Sequence, residues 1–145
     1  MTLTLQEISD RLEIQDVLVA YSYAIDEQDW DALDEVFTPD AFIDYSAFGG
    51  GTGDLAATKV FLASAMPGFP HSQHMVSTSR VHLDGDTATA QTICHNPMPV
   101  GDGDDQLVVC GLWYLDDLVR TPGGWRIKRR VEKKSYMWTL GGAEE

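Results

Sequence analysis

Proton transfer at neutral pH asks for a histidine and for a group that holds it. The chain has 4 histidines, at positions 71, 74, 82 and 95, and 23 acidic residues among its 145. An isolated imidazole titrates at about 6.5 and so accepts a proton near neutrality. A carboxylate on its far ring nitrogen fixes the tautomer and stabilises the imidazolium that forms. Facing an apolar pocket, such a pair can take a proton from carbon, and a tyrosine O–H or an arginine can stabilise the charge that builds on oxygen. Other chemistries are less well supplied. His71-Ser72-Gln73-His74 has a spacing that suits zinc on one helix face. Pro70 argues against a helix there, a strand would send the two rings to opposite faces, and further ligands are not evident, so no metal is expected. Asp102-Gly103-Asp104-Asp105 lacks the glutamate and spacing of a calcium loop, and Gly49-Gly50-Gly51 lacks the lysine and hydroxyl residue of a phosphate loop. Cys94 and Cys110 sit in apolar runs and read as reduced core residues.

Candidate groups act only where the fold puts them. Thr4-Leu5-Gln6-Glu7 is a capping box. Leu5, Ile8, Leu12, Val17, Leu18, Tyr21 and Ile25 follow near a 3.6-residue period, which predicts a helix over 5–27. Tyr21 and Tyr23, two apart, cannot share a helix face; Tyr23, at i, i+3 to Asp26, is the one expected inside. Asp29 can cap a second, short helix carrying Trp30, Leu33, Val36 and Phe37, stopped at Thr38-Pro39-Asp40. A short strand is expected over 41–45, a glycine-rich loop over 49–53 and a third helix over 55–65, capped by Asp54. Strands then follow over 75–83 and 87–98, joined by the Asp-Gly turn at 84–86. After a polar loop come strands over 106–120 and 125–138, with a bulge natural at Gly111. Helices first and hairpin-connected strands after them predict one α+β domain over 1–145. Long strands with an internal glycine bend, so the expected architecture is a cone, with N-terminal helices packed in the concavity of a curved, mainly antiparallel sheet.

The net charge of −13 repels nucleic acid and anionic lipid. The cations cluster at Arg126, Lys128, Arg129, Arg130, Lys133 and Lys134, and strand alternation turns that run into one inward cation and a solvated face. No nucleic-acid partner is expected. No apolar run approaches the ~20 residues of a membrane span. Met1 to Asp10 lacks the basic start and apolar core of a secretory signal. With two unpaired thiols, this predicts a cytoplasmic location.

Three segments resemble the opening of a known family: Tyr-Ser-Tyr-Ala-Ile-Asp at 21–26, Asp29-Trp30-Asp31-Ala32-Leu33, and Phe37-Thr38-Pro39-Asp40-Ala41. His74, Val81-His82-Leu83-Asp84-Gly85-Asp86-Thr87-Ala88, Gly111-Leu112-Trp113-Tyr114-Leu115-Asp116 and Gly124-Trp125-Arg126-Ile127 continue it in order. The chain is similar to the SnoaL-like branch of the nuclear-transport-factor-two-like superfamily. That resemblance implies a cone-shaped α+β barrel, usually a homodimer or homotrimer. Its relatives are scytalone dehydratase, hexachlorocyclohexane dehydrochlorinase, bile-acid dehydratase, polyketide cyclases and ketosteroid isomerase; the non-catalytic β-subunit of ring-hydroxylating dioxygenases shares the fold. In its eliminating members an aspartate late in the first helix orients a histidine at the start of a strand, and Asp26 and His74 stand at those positions. An arginine five residues after a last-strand tryptophan corresponds to Arg130, five after Trp125. Tyr23 (or Tyr21), Tyr45 and His95 match pocket tyrosines and a second histidine, and Trp30 and Trp113 are core or pocket wall. The implied activity is a lyase that needs no cofactor, dehydratase-like, acting on a hydrophobic cyclic small molecule such as a polyketide, steroid or aromatic intermediate. An isomerase or cyclase using the same base, or a non-catalytic binding or assembly module, is the alternative. Contact between Asp26 and His74 discriminates, because a histidine turned to solvent would leave only the binding module.

Overall fold

The computed structural model describes residues 2–142. Helix α1 spans Leu5–Asp26 and opens on the expected capping box: Glu7 N donates to Thr4 Oγ1 at 3.2 Å and Thr4 N to the Glu7 carboxylate at 2.7 Å. Ile14, Val17, Leu18, Tyr21 and Ile25 form its buried stripe. Near its start Asp10 is also buried. It accepts two hydrogen bonds from Arg120, at 2.6 and 2.9 Å, and one from Trp125 Nε1 at 3.1 Å. That carboxylate clamps the helix to the far hairpin of the sheet.

The second expected helix is only a 3-10 turn over Asp31–Glu35; its N-cap position is Trp30, and Asp29, one residue earlier, accepts from Ala32 N at 3.2 Å. Strand β1 (Phe37–Asp44) then begins four residues before the strand expected at 41–45 and runs through Pro39. Its pairing with the last strand shifts register between Phe37 and Phe42, so Pro39 lies where no ladder N–H is required. A two-residue strand β2 (Thr52–Gly53) leads to α2 (Leu55–Ala65), capped by Asp54, whose side chain accepts from Ala57 N at 2.9 Å.

Strands β3 (Met75–Asp84), β4 (Thr87–Pro99), β5 (Gln106–Thr121) and β6 (Gly124–Gly141) form an antiparallel meander. The sheet order is β2-β1-β6-β5-β4-β3, with β1 parallel to β6, so the sheet is mixed and its ends stay open. Two helices pack in its hollow. The β3–β4 hairpin turns at Gly85, where φ is +60°, the left-handed conformation its Asp-Gly pair favours. Pairing of β5 with β6 shifts between Gly111 and Leu112, at the expected glycine. The Tyr136 ring covers that glycine so closely that a Cβ there would lie 2.1 Å from it.

Strand alternation sends Ala88, Ala90, Cys94, Leu112, Tyr114, Leu118, Trp125 and Ile127 into the hollow, where they meet the α1 stripe. Cys94 and Cys110 are free and buried, and burial pushes the Cys94 thiol up to about 12. Both are packing groups.

Candidate active site

Asp26 is the last residue of α1 and His74 lies just before β3. Their side chains meet, with His74 Nδ1 2.6 Å from Asp26 Oδ1. The carboxylate also accepts the His74 backbone N–H at 2.8 Å and the Ser72 hydroxyl at 3.0 Å. Ser22 on α1 donates to the His74 carbonyl. Burial works to raise the Asp26 carboxyl. The hydrogen bonds from the His74 ring, the His74 backbone and Ser72 outweigh it and hold that carboxyl below its ordinary value. An ionised Asp26 assigns the ring proton to Nδ1 and leaves Nε2 as the accepting nitrogen of the ring. Asn96 Nδ2 lies 2.9 Å from that nitrogen, while Asn96 Oδ1 is buried without a partner.

His74 and Asn96 border a cavity of about 260 Å³. Its apolar walls are Ile25, Phe48, Phe61, Leu62, Met66 and Phe69, and its polar groups are Tyr21, Tyr45, His74, Asn96, Tyr114 and Glu132. The Tyr21 and Tyr45 hydroxyls are 2.7 Å apart. One O–H is used between them, so the pair keeps one to donate. Burial pushes Tyr21 up to about 12 against the pull of Arg130, and raises Tyr45 and Tyr114 as well, so all three remain phenols at neutral pH.

Arg130 is the inward cation of its strand, wholly buried. Asp116 accepts from it at 2.7 Å through both Nε and Nη2. Its guanidinium lies 4.2 Å from the centre of the Tyr21 ring and 3.9 Å from that of Tyr114. It stiffens the tyrosine wall from behind and does not itself border the cavity. Burial works to lower it, and Asp116 more than compensates, so it stays charged.

Four expected pocket residues lie elsewhere. Tyr23 is 63% exposed, because the α1 stripe centres on Tyr21 and Ile25 and Asp26 reaches His74 from the stripe's flank. His95 is on the outer sheet face, with Nδ1 2.7 Å from the Tyr136 hydroxyl. Its neighbour Asn96 points in instead. Trp113 is also outside, under Lys133 Nζ at 5.5 Å. Trp30 is half-buried against the edge of the core, away from the cavity. His71 turns outward to Asp102, 3.4 Å away, and does not join His74. Asn96, Ser72, Tyr114 and Glu132 were missed by the sequence reading. Glu132 had a signal, since two residues after an inward Arg130 the strand period returns to the same face.

A model of the SnoaL-like domain family matches residues 6–131. An uncharacterised protein of Mycobacterium tuberculosis is 53% identical over 134 residues, which is 92% of this chain and 91% of that one. Among solved structures, a candidate scytalone dehydratase from Novosphingobium aromaticivorans superposes with TM-score 0.79 at 20% identity, covering 95% of this chain and 91% of its own. A hexachlorocyclohexane dehydrochlorinase from Novosphingobium barchaimii does so with TM-score 0.81 at 17% identity, covering 97% of each chain. At these identities the two structures show a shared fold.

Proposed function

The chain belongs to the SnoaL-like domain family, and from that premise we propose that it is a dehydratase-like lyase whose base is His74, oriented by Asp26. The observation that carries this reading is the 2.6 Å contact between Nδ1 and Oδ1, with the opposite ring nitrogen at the wall of an apolar cavity. Nε2 takes a proton from a carbon next to a carbonyl or phenol, and Asp26 stabilises the imidazolium. The Tyr21–Tyr45 pair offers its spare O–H to the oxygen where charge builds. Loss of a β-leaving group completes the elimination, and the chain's own side chains move every proton. A volume of about 260 Å³ is at the small end of ligand sites, which run roughly 300–1,000 Å³. It favours a compact, hydrophobic cyclic substrate. The structural kinship with a dehydrochlorinase and a candidate dehydratase is consistent with this class.

Elimination is tested on a panel of cyclic ketones with β-leaving groups, read by enone absorbance. His74→Ala is expected to lower turnover on the order of 10²–10⁴-fold, the scale of general-base assistance. Asp26→Asn is expected to lower it in the same direction by misplacing the ring proton. Turnover retained in both variants would sink the reading. A product of unchanged mass would move it to an isomerase with the same base. The apolar outer face of the sheet, with Met75, Ile93, Tyr136 and Trp138 exposed, supports self-association as a homodimer or homotrimer.

A further inference from the structure

Among the described residues, Glu132 is the carboxyl on the cavity wall that the Asp26–His74 pair does not use. It stands on β6 opposite Tyr114, two residues beyond Arg130 and on the same face. The cation nearest to it in sequence is already neutralised, because Asp116 holds Arg130 in a two-point ion pair. Lys134, next on that face, places Nζ 5.7 Å over the Phe48 ring. Among the described residues no hydrogen bond holds the Glu132 carboxyl; the charges that bear on it are Arg130 from its own strand and Asp44 from β1. Tyr114 and Cys110 from β5, Tyr21 from α1, Tyr45 and His74 are the other titratable groups on the cavity wall. Burial pushes the carboxyl up to about 8, Arg130 opposes this and Asp44 adds to it. A carboxyl so placed keeps its proton at neutral pH and can donate it.

Its place across the cavity matters as much. His74 just precedes β3, three strands from Glu132 on β6. Met75 is in register with Gly111 and Glu132 with Tyr114, so on a flat sheet the two would lie roughly 14 Å apart across the strands and about 10 Å apart along them, and the curvature of the sheet turns both toward one cavity. One cavity therefore has a proton acceptor on one wall and a proton donor on another. We propose that Glu132 is a catalytic residue that protonates a hydroxyl leaving group, which makes β-hydroxy carbonyl compounds, not β-halo ones, the substrate class of this site. This rests on His74 being the base. In the step, the C–H pair becomes the new C=C bond as His74 Nε2 takes the proton. The C–O pair goes to oxygen, which takes the Glu132 proton and leaves as water. His74 is left as imidazolium and Glu132 as carboxylate, and one proton passed between them through water restores both. Hydroxide leaves poorly without that proton. A halide leaves as the anion and has no use for it.

The test uses two probes on one ring: β-hydroxycyclohexanone, which must expel water, and its β-(p-nitrophenoxy) analogue, which expels a stable anion. Glu132→Gln is expected to slow the hydroxy probe on the order of 10²–10⁴-fold, with a loss on the aryloxy probe smaller by at least about ten-fold. The wild-type rate on the hydroxy probe should fall as pH rises through about 8, and the variant should lack that limb. Carbon-detected NMR of the glutamate carboxyls supplies a readout free of substrate: one signal, missing in Glu132→Gln, should stay protonated at neutral pH. Equal losses on both probes, no loss on the hydroxy probe, no wild-type turnover of the hydroxy probe, or an ordinary carboxyl titration each overturn the proposal. Loss in His74→Ala with retention in Glu132→Gln overturns the role of Glu132 alone; retention in His74→Ala overturns the dyad beneath it.

Discussion

At the scale of single residues, the carboxyls in and around the cavity differ in their partners. Asp116 has Arg130, Asp26 has His74 and Ser72, and Glu132 has no hydrogen bond among the described residues and only the through-space pull of Arg130. That difference reaches stability. The unfolded chain gives up the Glu132 proton near the ordinary glutamate value of 4.5, whereas the folded chain keeps it until about 8. Between those values the folded state binds more protons, so this residue makes stability fall as pH rises through the window and level off above it. Glu132→Gln removes that slope. Its melting temperature relative to wild type should rise by several degrees between about pH 5 and about pH 9, given a few degrees per kcal/mol for a domain of this size. A difference that stays constant across the two conditions would mean that Glu132 titrates as an ordinary surface carboxyl. Arg130, expected at the cavity as a charge stabiliser, acts through the tyrosines it stacks on. No residue pattern announces such a detour, since it depends on Asp116 reaching it from the neighbouring strand.

At the scale of elements, α1 is held at both ends by carboxylates. Asp26 fastens its C-terminal end to the loop before β3, and Asp10 fastens its first half to Arg120 and Trp125. The Arg120 hydrogen bonds, against the effect of burial and with help from Trp125, hold Asp10 down at about 2. Asp10→Asn is expected to cost about 1.5–3 kcal/mol in denaturant unfolding at neutral pH, the range of charged hydrogen bonds. The difference should shrink as pH falls below about 4 towards 2, where the native carboxylate is itself protonated. An equal loss at both ends of that range would put its cause in packing. Helix α1, its cap and the second half of its stripe were legible because they repeat over many residues, but Leu5, Ile8 and Leu12 share the helical spacing and are exposed, the buried face at that end being Asp10 and Ile14. Single positions were not. Asp26 sits on the flank of the stripe, so reasoning from it chose Tyr23 over Tyr21. On β4 a one-residue error of face exchanges His95 for Asn96. Trp30, Leu33, Val36 and Phe37 have helical spacing, yet Val36 and Phe37 are buried against the sheet, and the chain extends as soon as β6 is there to pair with.

At the scale of the whole molecule, Met75, His95, Gly111 and Tyr136 form one row across the outer sheet face, with Trp138 beside it at 64% exposure. Sedimentation of the full chain is expected to give two or three times the single-chain mass, and Trp138→Glu to shift it towards one. A wild-type protein that sediments as a monomer would remove the self-association reading. The pairing of β1 with β6 has a different reach. Asp26 finds His74 across 48 positions, but Asp10 finds Arg120 and Trp125 across 110 and 115. During synthesis His74 and Asp26 emerge well before the strand bearing Arg130 and Glu132. Until that strand arrives, α1 and β1 have little to dock on, and pairings this remote in sequence are slow to form. A ribosome that stops early therefore releases a chain in which Asp26 and His74 can meet but the walls that β5 and β6 give the cavity are missing.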